Sequence, residues 1–116
     1  MAKLAIVELK FRNWASAVAW FRSTFELNLV MESLGEQYAL LETGKVLLAI
    51  KHDAAGQVTD QISLQWEVDD LDVWLNQKSV KVLKPMKDSS EGYRRVIIEG
   101  PEGQPLLVYD WKKNVK

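Results

Sequence analysis

At 116 residues and 13.3 kDa, with 47% hydrophobic and 27% charged residues, the chain has the size and composition of one folded domain with its own core. A net charge of −1, with both signs spread through both halves, excludes the one-sided field of a nucleic-acid binder, and zero cysteines exclude disulfides, thiolate chemistry and Cys-ligated zinc. No apolar run reaches the roughly 18 residues that span a bilayer, and Glu8 and Lys10 break the first apolar segment too early for a secretory signal, so a cytoplasmic protein without membrane or nucleic-acid partners is expected.

In chain order, Leu4 to Phe11 alternates, with Ala5, Val7, Leu9 and Phe11 apolar and Glu8 and Lys10 between them. A period of two predicts a half-buried strand. Asn13 reads as a helix N-cap, followed by Trp14, Val18, Phe21 and Phe25, one apolar stripe on a helix running to about Leu27. Leu29–Ser33, Gln37–Glu42 and Val46–Lys51 read as strands joined by glycine-containing hairpin loops. Residues 53–60 are polar and read as a linker.

The pattern then restarts. Ile62, Leu64, Trp66 and Val68 alternate with Ser63, Gln65 and Glu67, predicting a strand. Asp69 or Asp70 can cap a short helix carrying Leu71, Trp74 and Leu75. Val80–Pro85 reads as a strand ended by its proline, and Lys87–Glu91 as a loop. Tyr93–Glu99 and Gln104–Trp111 are two more strands, joined by the turn residues Gly100-Pro101-Glu102-Gly103. Lys78, Lys81, Lys84 and Lys87, flanked by Asp69, Asp70, Asp72 and Asp88, read as a solvated face, and Lys112, Lys113 and Lys116 as a basic C-terminal cluster.

The order is strand, helix, three strands, twice over. Asn13 aligns with Asp70, which places Ile6 on Ser63 and Glu8 on Gln65, and Gly44-Lys45-Val46-Leu47-Leu48 aligns with Gly103-Gln104-Pro105-Leu106-Leu107. A repeated unit fixes the architecture before any site is considered. The expected fold class is α+β, two βαβββ modules (4–52 and 61–111) in a single domain over 1–116.

A doubled βαβββ unit of this length resembles the vicinal oxygen chelate superfamily, which holds glyoxalase I, extradiol dioxygenases and the bleomycin resistance proteins. Trp66-Glu67-Val68-Asp69-Asp70-Leu71-Asp72 is similar to its strand-to-helix junction. Gly92-Tyr93-Arg94 and Gly100-Pro101-Glu102-Gly103-Gln104 are similar to its closing hairpin. Asn13 stands where an aspartate is usual, and Ala17-Val18-Ala19-Trp20-Phe21 resembles a helix pattern that normally ends in Phe-Tyr. The resemblance implies curved sheets forming a concave cup, with helices on the outer face.

Under that resemblance, Ala5, Val7, Leu9 and Phe11 pack under the helix while Ile6, Glu8 and Lys10 face the cup. In the second module Ser63, Gln65 and Glu67 face it, and the closing strands add Leu48, Ile50 and His52, and Leu107, Tyr109 and Trp111. Enzymes of the superfamily hold a divalent metal at four cup-facing positions, which map to Ile6, Leu48, Ser63 and Leu107. Three carry no donor atom and the fourth offers a neutral hydroxyl, so no metal and no other cofactor are expected. A shift of one residue brings in Val7, Leu47 or Ala49, Leu64, and Leu106 or Val108, again without donors. The only histidine, His52, next to Asp53, reads as an exposed residue at the start of the linker.

What remains is a pocket. Its apolar walls (Ile6, Leu48, Ile50, Leu107, Tyr109) and sparse polar groups (Glu8, Lys10, Ser63, Gln65, Glu67) suit a small organic ligand, and Trp111 is the tryptophan placed to stack on it. Trp14 and Trp66 read as core, and Trp20 and Trp74 as helix or subunit packing. The resemblance to the metal-free, bleomycin-resistance-like branch implies a homodimer that binds or sequesters a small molecule, and open apolar sheet edges also favour a two-fold dimer. No catalytic residue is assigned. The alternatives are a metal-dependent lyase or dioxygenase, a metal-free enzyme using Glu8 or Glu67 as a base, and a purely structural module. Lys10 stands at the position matching Glu67, so the reading opposed to a catalytic base is a salt bridge across the module interface or simple solvation.

Overall fold

The computed structural model describes residues 1–56 and 61–111. The last four linker residues and the C-terminal lysine cluster lie outside the described residues. The chain divides into two compact units, Met1–Val58 and Thr59–Lys116. No helix among the described residues is long and apolar enough to cross a membrane.

The first unit runs β1 (Ile6–Phe11), α1 (Trp14–Phe25), β2 (Asn28–Ser33), β3 (Tyr38–Glu42) and β4 (Leu47–His52). Its four-stranded sheet has the order β1-β4-β3-β2, with β1 and β4 parallel and the other pairs antiparallel. α1 starts where Asn13 accepts a hydrogen bond from the Ser16 amide at 3.1 Å, which satisfies one of the free donors of the first turn. It ends at Glu26, in the left-handed region at φ 56°, whose N–H donates to the Arg22 carbonyl. The buried stripe Trp14, Ala17, Val18, Phe21 and Thr24 covers one side of the sheet. Phe21 is fully buried, 6.1 Å from Phe11, and burial of a ring of this size stabilises by about 1.5–3 kcal/mol.

The second unit repeats this order: β5 (Gln65–Glu67), α2 (Leu71–Gln77), β6 (Lys81–Asp88), β7 (Tyr93–Glu99), a 3-10 turn at Pro101–Gly103, and β8 (Pro105–Trp111). The sheet order is β5-β8-β7-β6, again with the first and last strands parallel. Asp70 is the cap, accepting from the Val73 amide at 3.2 Å. Leu71 and Trp74 are the buried residues of α2. With Val96, Ile98, Leu106 and Val108 they supply the apolar core.

Two strands differ most from the sequence expectation. β5 is three residues long rather than Ile62–Val68, although the ladder is prolonged by Leu107 N–H to Leu64 O (3.1 Å) and Val68 N–H to Tyr109 O (2.9 Å). β6 passes through Pro85 and continues to Asp88, so Lys87 belongs to the strand and not to a loop. Proline is tolerated there because β6 is an edge strand and its register skips between Val82, Lys84 and Lys87.

Candidate functional site

Residues paired across a sheet share a face, so the register sorts the side chains of each unit. In the second unit Trp66, Leu106, Val108, Val96 and Ile98 lie on the helix side. Gln65, Glu67, Leu107, Tyr109, Trp111, Tyr93, Arg95 and Ile97 lie on the other. β8 alternates along its length: Leu106, Val108 and Asp110 are buried, Leu107 and Tyr109 half-buried, and Trp111 is 53% exposed. The predicted residues Gln65, Glu67, Leu107, Tyr109 and Trp111 therefore come together on one face.

That face has zones. At one end Tyr93, Tyr109 and Trp111 form an aromatic cluster, with ring centroids 5.8 to 6.0 Å apart and planes crossed by 70 to 89°. Next to it the Tyr109 hydroxyl donates to Glu67 Oε1 at 3.4 Å. Burial, then the Glu67 charge and its hydrogen bond, push the Tyr109 phenol above its ordinary value, so it stays protonated and a donor. At the other end a groove of about 390 Å³ is lined by Ile62, Ser63, Leu83, Lys84, Ile97 and Leu107. Ser63 thus borders the groove, although it precedes β5 and is exposed. An aromatic surface, a few polar atoms and an apolar groove thus adjoin on one face of the second unit.

Tyr93, Arg95, Ile97, Leu83 and Ile62 are additions to the residues read from sequence. The signal for the β7 members was present: once Val96 and Ile98 are assigned to the core, period two sends Tyr93, Arg95 and Ile97 to the opposite face.

In the first unit Ile6 (45% exposed), Glu8 (exposed) and Lys10 (half-buried) lie opposite the helix, as expected. Leu48, Ile50 and His52 do not. β1 pairs with β4 as Val7 with Leu48, Leu9 with Ile50 and Phe11 with His52, which puts all three on the helix side. Leu48 and Ile50 are core residues at 3% and 0% exposure. The face opposite the helix carries Leu47, Ala49 and Lys51 instead. The reason is one residue of alignment. Glu8 pairs with Ala49 where its counterpart Gln65 pairs with Leu107, so Leu107 corresponds to Ala49. His52 Nδ1 is 2.9 Å from the Arg12 carbonyl oxygen.

The corrected register brings no carboxylate or imidazole to the mapped position on β4. In the first unit Ile6 with Leu47 or Ala49 offers no donor atom, and in the second Ser63 and Leu107 offer one hydroxyl between them. Among the described residues no three His, Asp or Glu side chains gather as a metal-holding group. Neither unit's set fits a divalent metal by itself.

Beneath the face, on the helix side, lies a charged clamp. Arg94 donates to Asp110 through Nε (3.0 Å) and Nη2 (2.5 Å) and to Asp72 through Nη1 (2.9 Å). Asp110 also accepts from the Leu71 amide at 2.7 Å. The buried carboxylate thus ties the first turn of α2 to β7 and β8. Its hydrogen bonds, with those of Asp72, hold the Arg94 guanidinium protonated well above its ordinary range.

No protein-family model matches the chain, and no curated protein matches its sequence. Solved structures do match. A glyoxalase/bleomycin resistance protein/dioxygenase family enzyme from Burkholderia phytofirmans PsJN superposes with a TM-score of 0.81 at 15% identity, over 95% of this chain and 99% of that one. A lactoylglutathione lyase from Agrobacterium tumefaciens gives 0.74 at 20% identity, over 95% and 94%. A glyoxalase/bleomycin resistance protein/dioxygenase from Nocardioides gives 0.71 at 14% identity, over 100% and 87%. Two βαβββ modules with mixed four-stranded sheets, superposable on these structures over nearly the whole chain, give this protein the glyoxalase-like α+β fold.

Proposed function

We propose that the chain is a metal-independent member of the glyoxalase/bleomycin resistance/dioxygenase superfamily that binds or sequesters a small organic molecule, as a cytoplasmic homodimer. The observation that carries this reading is the second-unit face. Tyr93, Tyr109 and Trp111 stand beside a groove bordered by Ser63 and Leu107, where the superfamily's enzymes would need metal donors. The rings supply apolar contact, and the Tyr109–Glu67 pair and Ser63 supply orientation. Isolated exposed side chains need no explanation, but a ring cluster adjoining a groove is suited to ligand contact. The unpaired outer edges of β2 and β6, with Val30, Met31, Val82 and Leu83 exposed, support self-association.

The test is a thermal-shift screen of small organic molecules in the presence of a chelator. A ligand at a hundred times its dissociation constant adds about 2.7 kcal/mol to stability. Stabilisation that survives chelation supports the proposal. A stoichiometric transition metal in protein purified without chelator, or binding that chelation abolishes, refutes it.

A further inference from the structure

The two neighbouring arginines of β7 lie on opposite sides of the sheet and have opposite circumstances. Arg94 is fully engaged by Asp110 and Asp72 on the helix side. Arg95 is half-buried on the other side, and among the described residues its side chain makes no hydrogen bond and no ion pair. Its register partners are Tyr109 on β8 and Lys87 on β6. Like charges directly opposite each other in an antiparallel pair are destabilising, and a partly desolvated guanidinium without an acceptor adds to that cost. Lys84, facing Ile97 in the groove, places a third cation on the same side. The one carboxylate at the centre of this face, Glu67, is on β5, beyond β8, and is hydrogen-bonded by Tyr109. Two strand spacings, about 10 Å, separate the two backbones.

From this layout we infer that the ligand is an aromatic organic anion, its carboxylate or equivalent planar oxyanion paired with Arg95 and its ring set against Tyr93, Tyr109 and Trp111. The inference rests on the binding reading above and adds the ligand's charge and orientation. Arg95 sits between the aromatic end (Tyr93, Trp111) and the groove (Ile97, Leu107) in consecutive rows of the sheet. One bound molecule can therefore reach all three. The guanidinium fork matches two oxygens at once, which an ammonium cannot. Glu67 repels the anionic group toward the Lys87 side and so fixes which way round the ligand lies.

The experiment uses the intact chain and two probes of matched shape, 2-naphthoate and its neutral amide, 2-naphthamide, titrated calorimetrically at neutral pH and low salt. We expect naphthoate to bind at least tenfold more tightly. R95Q should abolish that preference by weakening naphthoate far more than naphthamide, R95K should restore only part of it, and W111L should weaken both probes alike. Because the Arg95 side chain pairs with nothing among the described residues and faces Lys87, R95Q is expected to keep or raise the wild-type melting temperature. Equal affinity for the two probes, or a preference that survives R95Q, overturns the inference while leaving the pocket reading in place. Binding of neither probe also overturns it, and the pocket reading falls with it only if the wider screen is silent too.

Discussion

Replacing Asp110 with alanine tests how the second unit is held together. The Asp110 side chain is 4% exposed and Arg94 is 22% exposed. Removing the carboxylate strips Arg94 of two hydrogen bonds and leaves the Leu71 amide without its acceptor. Breaking a buried ion pair from one side costs about 3–5 kcal/mol, because the remaining charge loses its partner. Arg94 can still reach Asp72 and partial solvent, which places the loss at the lower end. With a urea m-value of about 1.5 kcal/mol/M, a loss of about 3 kcal/mol lowers the unfolding midpoint by about 2 M. R94A should cost a similar amount, since it strands Asp110. D72A should cost under about 1 kcal/mol, because Asp72 is 66% exposed and screened by water. D110N, which keeps an acceptor for the Leu71 amide, should fall between. If D110A proves as mild as D72A in urea unfolding followed by circular dichroism, the clamp is an ordinary surface pair and the reasoning fails.

Other predictions follow from single contacts. N13A removes the cap of α1 and should cost about 1 kcal/mol by chemical denaturation, whereas N13D should be neutral or stabilising, since a carboxylate suits a helix start and α1 has no acidic residue in its first turn. In G100A the new methyl would meet Leu106 Cδ1 at 2.8 Å and the Gln104 carbonyl oxygen at 3.0 Å, so a loss of about 1–3 kcal/mol is expected from overpacking. In ultraviolet titration the Tyr109 phenol should ionise above its ordinary value, a signal absent in Y109F. E67Q should lower its titration only part of the way, because burial is the larger cause. The folded chain binds this proton more tightly than the unfolded one. Its contribution to stability is therefore complete below the unfolded value of about 10 and is lost as pH rises from there through the folded value.

The fold was legible because β1, α1, β7 and β8 keep a clear period and both helices announce themselves by Asn13 and Asp70. The β4 register was not. Leu47, Leu48, Ala49 and Ile50 are all apolar, so nothing in the strand says which side faces the helix, and alignment to β8 missed by one position. An acidic residue in line with Leu106 and Val108, opposite Arg94 on the neighbouring strand, was a legible sign of a buried pair. Pro85 reads as a stop signal in sequence. The edge position and bulges that let β6 continue are properties of the assembled sheet.

β8 lies between β5 and β7 and serves two purposes at once. Leu106, Val108 and Asp110 anchor the interior, while Leu107, Tyr109 and Trp111 face outward. Consecutive codons of this strand therefore answer to different selective pressures. Substitutions at the odd positions alter the outer face with little penalty to folding, whereas those at the even ones strike the core. Diversification within such a scaffold should concentrate on every second residue of its central strands.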